Sequence, residues 1–167
     1  MLKTARHVLL ASMLAAAAIP SHALDKAAGH PIVTITGLIS EKNAGSDAQF
    51  DAAMLDKLPQ VKMTVETPWY KGPQTFEGPL FRDVIKAAGA KGTKLYVVAL
   101  NDYAAEIPLA DLDKYDVILA RKVNGQVLNV RDKGPLFVMY PFDKKPELRT
   151  KEILSRCVWQ VNRIRVE

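Results

Sequence analysis

Short apolar segments, each closed off by proline, glycine or an Asn-Gly turn, limit the folds open to this chain. The 167 residues contain ten prolines and nine glycines. Val61 to Glu66 alternates apolar and polar residues as a half-exposed strand does, whereas Leu95 to Leu100 is almost entirely apolar, as in a buried strand. Hairpin turns and short connections favour mixed or antiparallel sheets over a doubly wound parallel fold. The sequence therefore predicts an α+β domain with two or three short helices.

The predicted strands are spread along the chain beyond residue 31. They cover Ile32–Ile39, Val61–Glu66, Leu95–Leu100, Tyr103–Ile107, Val117–Ala120, Gln126–Val130, Leu136–Tyr140 and Cys157–Val166. Asn124-Gly125 predicts a tight hairpin turn, because both residues tolerate a positive φ angle.

Two segments carry clear helix signals. Ser46–Gln49 has the Ser-x-x-Gln pattern of a capping box, which predicts a short helix ended by Pro59. In the second segment Pro79 suits the first turn and Gly89 suits the left-handed C-terminal position, with an apolar stripe between them. Shorter helical turns are predicted at Pro108–Leu112 and Lys145–Ser155.

The first 23 residues have the pattern of a signal peptide. Lys3 and Arg6 form a basic start, and Val8–Ile19 is an apolar run too short to span a bilayer. Pro20 ends that run, and Ser21-His22-Ala23 is a small-x-small cleavage site. Cleavage after Ala23 leaves residues 24–167 as one domain, which we expect in the periplasm or secreted. No later segment is apolar enough to predict a membrane span.

Removal of residues 1–23 leaves one histidine and one cysteine. His30 alone excludes a His-rich zinc or copper site, and its place near the new N-terminus disfavours a Ser-His-Asp triad. Cys157 has no partner for an intramolecular disulfide. Its sequence context fits a small buried hydrophobe better than a reactive thiol activated by Arg156.

Other common ligand motifs are missing or incomplete. The sequence has no G-x-G-x-x-G loop between a strand and a helix, which disfavours nucleotide binding by that route. Asp111, Asp113 and Asp116 lack the remainder of a calcium-binding loop and are interpreted as an exposed turn. No basic stripe is interleaved with aromatic residues, so no nucleic-acid partner is expected. We therefore predict no metal site.

Charge and aromatic residues are unevenly placed along the predicted mature chain. Residues 24–113 carry a net charge of −3, and residues 114–167 carry +6. The basic half is either a solvated face or a surface that attracts an oxyanion, a phosphorylated ligand or an acidic partner. Trp159, in a predicted strand, is assigned to the core. The aromatic residues in predicted loops, where pockets are often built, are Trp69, Tyr70, Tyr103, Tyr140 and Phe142.

From Val61 onward, the order of motifs resembles the oxidoreductase molybdopterin-binding domain family, which has the sulfite oxidase fold. The segments that carry the resemblance are Phe76–Ile85, Tyr103–Leu109, Val117–Ala120 with Asn124–Leu128, Gly134–Pro141 and Val158–Ile164. The first resembles the family's aromatic-x-Gly-x-x-Leu-x-Asp-Leu-Leu segment, and the second its Tyr-Gly-x-x-Ile-Pro-Leu segment. The others resemble its Asn-Gly hairpin, its Gly-x-Pro-x-Arg segment and its closing strand with Trp. Such a resemblance over about 100 residues implies a sulfite oxidase-like α+β fold.

The same resemblance shows where the chain departs from the family. Family enzymes bind molybdenum through a cysteine, and the corresponding position here is near Thr67. The family's Arg and Lys that hold the pterin phosphate correspond to Phe137 and Val158, and Cys157 does not match the metal ligand. A hydroxyl is a poor substitute for the soft thiolate of a metal–dithiolene centre. Tyr103 does match the family's active-site tyrosine, which implies that a pocket persists without the metal.

The family builds its site from three loops, so the resemblance implies that residues 67–70, 101–103 and 131–133 converge. The candidate ligand-binding residues are Thr67, Trp69, Asn101, Asp102, Tyr103, Arg131 and Lys133. Aromatic faces, hydrogen-bonding groups and two cations together suit a small polar or anionic ligand.

Two functions are consistent with these observations. The first is an exported domain that has lost the molybdenum cofactor and acts as a periplasmic ligand-binding, sensory or accessory protein, with a membrane sensor or a redox protein as its partner. The alternative is a molybdopterin-dependent oxidoreductase with altered metal ligation. We expect the first, because function depends on the site and not on the fold.

Overall fold

The structure is a computed structural model that describes residues 24–167. The predicted signal peptide, residues 1–23, lies outside the described residues. Across residues 24–167, every helix is too short or too polar to cross a bilayer. The described chain forms one α+β unit with mixed and antiparallel sheets, which confirms the predicted fold class. It contains four α-helices among the described residues, where the sequence predicted two or three.

Eleven strands and four helices make up the described fold, with two short 3₁₀ turns at Val130–Asp132 and Pro146–Leu148. The helices are α1 (Ala52–Lys57), α2 (Phe81–Ala87), α3 (Leu109–Lys114) and α4 (Lys151–Arg156). The strands are β1 (Val33–Gly37), β2 (Ala48–Phe50), β3 (Gln60–Val65), β4 (Gln74–Pro79), β5 (Lys94–Ala99), β6 (Ala104–Pro108), β7 (Ile118–Ala120), β8 (Lys122–Val123), β9 (Gln126–Val127), β10 (Phe137–Met139) and β11 (Val161–Val166).

The largest sheet has five strands in the order β2-β1-β11-β5-β6. β1 and β11 pair in parallel, and every other neighbouring pair in this sheet is antiparallel. Its inner face carries fully buried apolar residues such as Ile35, Val97 and Ile164, whereas Arg163 and Arg165 alternate with them on the outer face. This period of two buries one face of the sheet against the rest of the molecule.

The other two sheets are a four-stranded sheet, β3-β4-β8-β9, and a two-stranded pair, β10-β7. β4 passes so close to β7 that a Cβ atom at Gly78 would lie 2.0 Å from the carbonyl oxygen of Leu119. Only glycine leaves room for that backbone approach. The β8–β9 turn confirms the Asn-Gly prediction, with φ angles of 50° at Asn124 and 80° at Gly125.

Several local predictions differ from the structure. Ser46 does not cap a helix, because Ala48–Phe50 forms β2 and the α1 N-cap is Asp51, whose carboxylate accepts a 2.8 Å hydrogen bond from Met54 N. Gln74–Pro79 was not predicted as a strand, yet it forms β4, so Pro79 ends that strand and does not stand in the first turn of α2, whose N-cap is Leu80. The final strand begins at Val161, so Cys157 ends α4 instead of lying in β11.

Candidate functional site

A cavity of about 340 Å³ opens between the loop after β3, the β5–β6 turn and the C-terminal end of α4. Its wall combines aromatic rings, small apolar groups and a few polar atoms. The lining residues are Pro68, Trp69, Ala99, Asn101, Tyr103, Leu154, Ser155, Cys157 and Trp159. Three of the predicted site residues, Trp69, Asn101 and Tyr103, therefore meet in one place.

The β5–β6 turn presents Asn101 and Tyr103 by a local hydrogen-bond pattern. Asn101 Oδ1 accepts from Tyr103 N at 3.1 Å, and Ala99 N donates to Tyr103 O at 2.9 Å. Asp102 between them adopts a positive φ of 63°, which Asp tolerates better than most residues. Tyr103 then reaches across the cavity mouth, where its hydroxyl donates to Ser155 O at 2.8 Å. The turn and α4 are thereby joined at the rim.

The back of the cavity is a cluster of edge-to-face aromatic rings. The ring centroids of Trp69 and Trp159 are 5.9 Å apart, and each ring also packs against Phe137, at 5.4 Å and 6.0 Å respectively. Phe137 is fully buried in β10, so it fixes the two tryptophans from the core side. Trp159 was predicted as a core residue only, but it packs on the core and also lines the cavity.

Thr67 lies beside this cavity and not in it. It lines a neighbouring space of about 430 Å³ together with Glu66, Phe142 and Arg149, and Pro68 and Leu154 border both spaces. The Thr67 Oγ1 atom is buried and has no hydrogen-bond partner within residues 24–167. The predicted convergence of residues 67–70 on the site therefore holds for Trp69. Thr67 lies in the neighbouring space, which shares Pro68 and Leu154 with the first cavity.

The remaining candidate residues lie outside the aromatic cavity. Asp102 accepts from the Arg163 guanidinium at 2.8 Å on the outer face of the five-stranded sheet. Arg131 is exposed in the 3₁₀ turn after β9 and lines none of the described cavities at this site. The Lys133 ammonium sits 4.6 Å from the ring centroid of Tyr70. The expected loop 131–133 thus brings no cation to the cavity wall.

Cys157 is a buried wall residue with 2% exposure, as its sequence context predicted. Its thiol donates a weak hydrogen bond to Ile153 O at 3.6 Å. Burial in an apolar environment raises the pKa of the Cys157 thiol to about 12, so the thiol is protonated at neutral pH. Arg156 does not activate it, because the guanidinium binds the carboxylates of Asp111 and Glu152.

Asp111 organises the polar network behind α4. Its Oδ2 accepts from the Tyr140 hydroxyl at 2.8 Å and from Arg156 Nη1 at 2.7 Å. Burial, with the Asp111 carboxylate beside it, raises the pKa of Tyr140 well above its usual range. Asp111, interpreted from the sequence as part of an exposed turn, is therefore a partly buried anchor for α4. Within residues 24–167 no group of three His, Cys, Asp or Glu side chains is placed to hold a metal ion.

Leu154 and Ser155 were not identified as site residues from the sequence. They lie at the end of a helix that carried only a weak pattern, and they reach the site through the packing of α4 near β6. No local sequence motif identifies Leu154 and Ser155, because they become part of the site only through the position of α4 beside the β5–β6 turn.

The comparisons with known proteins agree with this architecture. The chain belongs to the oxidoreductase molybdopterin-binding domain family, whose model matches residues 33–142. Among solved structures, the sulfane dehydrogenase SoxCD from Paracoccus pantotrophus is similar, with a TM-score of 0.61 and 19% sequence identity. The similarity covers 80% of this chain and only 37% of that one, and at this identity it shows the fold alone. No curated protein matches the chain significantly in sequence.

Proposed function

We propose that this domain is an exported binding or accessory protein that takes a small ligand in the aromatic cavity and works without the molybdenum cofactor. The observation that carries the proposal is the cavity itself, which Trp69, Tyr103 and Trp159 line together with small apolar and polar residues. Concave, mostly apolar spaces with a few placed polar groups are where proteins bind small molecules.

The donor set supports the cofactor-free part of the proposal. Thr67 offers a hydroxyl where the family resemblance places a thiolate, and the sole cysteine, Cys157, holds a protonated thiol inside the wall. Phe137 and Val158, which replace the family's two phosphate-binding cations, are both fully buried in the core. These side chains do not fit a metal–dithiolene centre, because neither a thiolate ligand nor a cation is present at the matched positions.

Thermal-shift screening of the purified mature protein tests the binding function, with small neutral and polar metabolites as ligands. A hit that occupies the cavity should bind about tenfold more weakly or worse to Tyr103→Ala, which removes one wall and the rim hydrogen bond. Tyr96→Ala is the matched control, since Tyr96 is a similarly exposed tyrosine on the outer face of the large sheet. Equal binding by wild type and Tyr103→Ala would contradict the assignment of the cavity.

The second candidate function is a molybdopterin-dependent oxidoreductase, which family membership favours. Expression in a cell that makes the molybdenum cofactor, followed by metal and pterin analysis, separates the two. We expect far less than one molybdenum per protein. Near-stoichiometric molybdenum with pterin would overturn the cofactor-free proposal, and loss of that metal in Cys157→Ser would then identify Cys157 as the ligand.

A further inference from the structure

The aromatic cavity is uncharged. None of its nine lining residues carries a charge, and the Cys157 thiol is protonated at neutral pH. Arg156, which adjoins two wall residues in sequence, binds Asp111 and Glu152, and the ammonium of Lys133, a candidate site residue, lies over Tyr70. A charged ligand would leave water and meet no opposite charge in the wall.

The lack of charged groups in the wall indicates that the ligand is uncharged. Moving an ion from water into an apolar site costs free energy unless a counter-charge or several hydrogen bonds replace its hydration. The wall provides no counter-charge, so an ion binds more weakly than a neutral molecule of the same shape. Arg131 and Lys133, which suggested an anion from the sequence, line no part of this space.

The shape of the wall and its free donor set the rest of the ligand's chemistry. Trp69, Trp159 and Tyr103 all line the cavity, and a flat aromatic or unsaturated ligand packs favourably against such rings in edge-to-face or offset contact. Asn101 Oδ1 already accepts from Tyr103 N, while the Asn101 amide nitrogen donates to no protein group within the described chain. That nitrogen is therefore available to a hydrogen-bond acceptor on the ligand.

We propose that the cavity selects uncharged planar ligands that carry one hydrogen-bond acceptor, and that it discriminates against anions and cations of the same shape. This inference rests on the proposed function, since it names the ligand class of the same cavity.

Three probes of nearly one shape test it: benzamide, benzoate and the benzamidinium cation. Both tryptophans of the chain line the cavity, so intrinsic fluorescence reports occupancy directly. At neutral pH we expect benzamide to bind about tenfold or more tightly than either ion, because only the ions lose hydration without compensation. The full set is measured on the purified mature protein at constant ionic strength.

A paired substitution separates the charge of the wall from the charge of the whole molecule. Ser155 is exposed at the rim, so Ser155→Lys brings a cation to the cavity and should shift the preference towards benzoate. Val127→Lys adds the same charge at a position in β9 that is 61% exposed and does not line the cavity. That control should leave the order of the three probes unchanged.

The outcomes are distinguishable. Benzoate or benzamidinium binding as tightly as benzamide, with the signal lost in Tyr103→Ala, overturns the selectivity and leaves a binding cavity in place. No binding of any probe at millimolar concentration also overturns the proposed ligand class, while the metabolite screen still decides the function. A preference for benzamide that Ser155→Lys weakens and Val127→Lys does not is the supporting result.

Discussion

Trp69 belongs both to the packed interior and to the cavity wall. Its ring packs on Phe137 and Trp159, whereas Tyr103 is 46% exposed and has one hydrogen bond at its hydroxyl. We predict that Trp69→Ala lowers the free energy of unfolding by about 3 kcal/mol, since it leaves a void beside a buried ring. Tyr103→Ala should cost about 1 kcal/mol or less. Urea unfolding of the two variants measures both values.

That contrast refines the prediction from the sequence, which placed Trp69 and Tyr103 alike among the candidate ligand-binding residues. Equal and large losses would place Tyr103 in the core and remove the main support for the binding cavity. Equal and small losses would show that Trp69 does not anchor the aromatic cluster.

Cys157 gives the stability of the fold a dependence on alkaline pH. The pKa of its thiol is raised from an ordinary value near 9 to about 12 by burial. The protonated thiol therefore contributes its full stabilisation of the folded state below about pH 9. This contribution is lost as the pH rises towards 12, because the thiol of the unfolded chain deprotonates at a lower pH than the thiol of the folded chain. Between these pH values the free energy of unfolding of the wild type should decrease with pH more steeply than that of Cys157→Ala, by about 1 kcal/mol per pH unit.

Urea unfolding between pH 7 and about pH 10.5 checks this prediction. Part of the fall should remain in Cys157→Ala, since burial also raises the pKa of Tyr140. An unchanged slope in the variant would mean that the thiol reaches water in the folded state.

At the scale of elements, the N-cap of α1 is Asp51 and not Ser46, which the sequence pattern of a capping box had suggested. Asp51 is 3% exposed, and its carboxylate accepts from Met54 N and from Gly29 N at 2.7 Å. We predict that Asp51→Ala lowers the Tm by about 2–4 °C or more, because two backbone donors lose their acceptor. Ser46→Ala is the control and should have little effect, since Ser46 is exposed and its Oγ donates a hydrogen bond to the neighbouring Asp47 side chain, not to a helix backbone group. Thermal melts in which the two variants are equally destabilised would contradict the position of the cap.

The sequence predicted those elements whose signals are local. The Asn124-Gly125 turn, the C-terminal Gly89 of α2 with its φ of 62°, and the alternation in β3 all depend on neighbouring residues only. β4 was missed because Gly78 and Pro79 weaken a strand pattern, and Gly78 is required by the carbonyl of Leu119, which is distant in sequence.

The candidate site divides in the same way. Trp69, Asn101 and Tyr103 meet in the cavity, and each lies on a loop that the family resemblance had already located. Ser155 and Trp159 line it because α4 and the segment after it fold back beside β6, which no local pattern specifies. Arg131 and Lys133 were assigned to the site partly because of their charge. Electrostatic attraction acts over long distances, so a charge in the sequence does not show where its side chain lies.

For the molecule as a whole, export gives a direct prediction. The basic start at Lys3 and Arg6, the apolar run and the Ser21–Ala23 site predict cleavage that leaves Leu24 as the first residue. N-terminal sequencing of protein recovered from the periplasm or the medium should begin at or near Leu24. Met1 retained on the recovered protein would contradict the signal peptide, and Ala23→Arg should block processing if the cleavage site is correct.

The position of β11 determines when this molecule can fold. β11 lies between β1 and β5, and the backbone carbonyl of Glu167 accepts from Thr93 N and Lys94 N. β1 and β5 do not pair with each other, so the two halves of the five-stranded sheet, β2-β1 and β5-β6, are joined only through β11. A chain that lacks residues 161–166 can therefore form the local β5–β6 hairpin but not the complete five-stranded sheet, so this sheet forms only after nearly all of residues 24–167 have been synthesised.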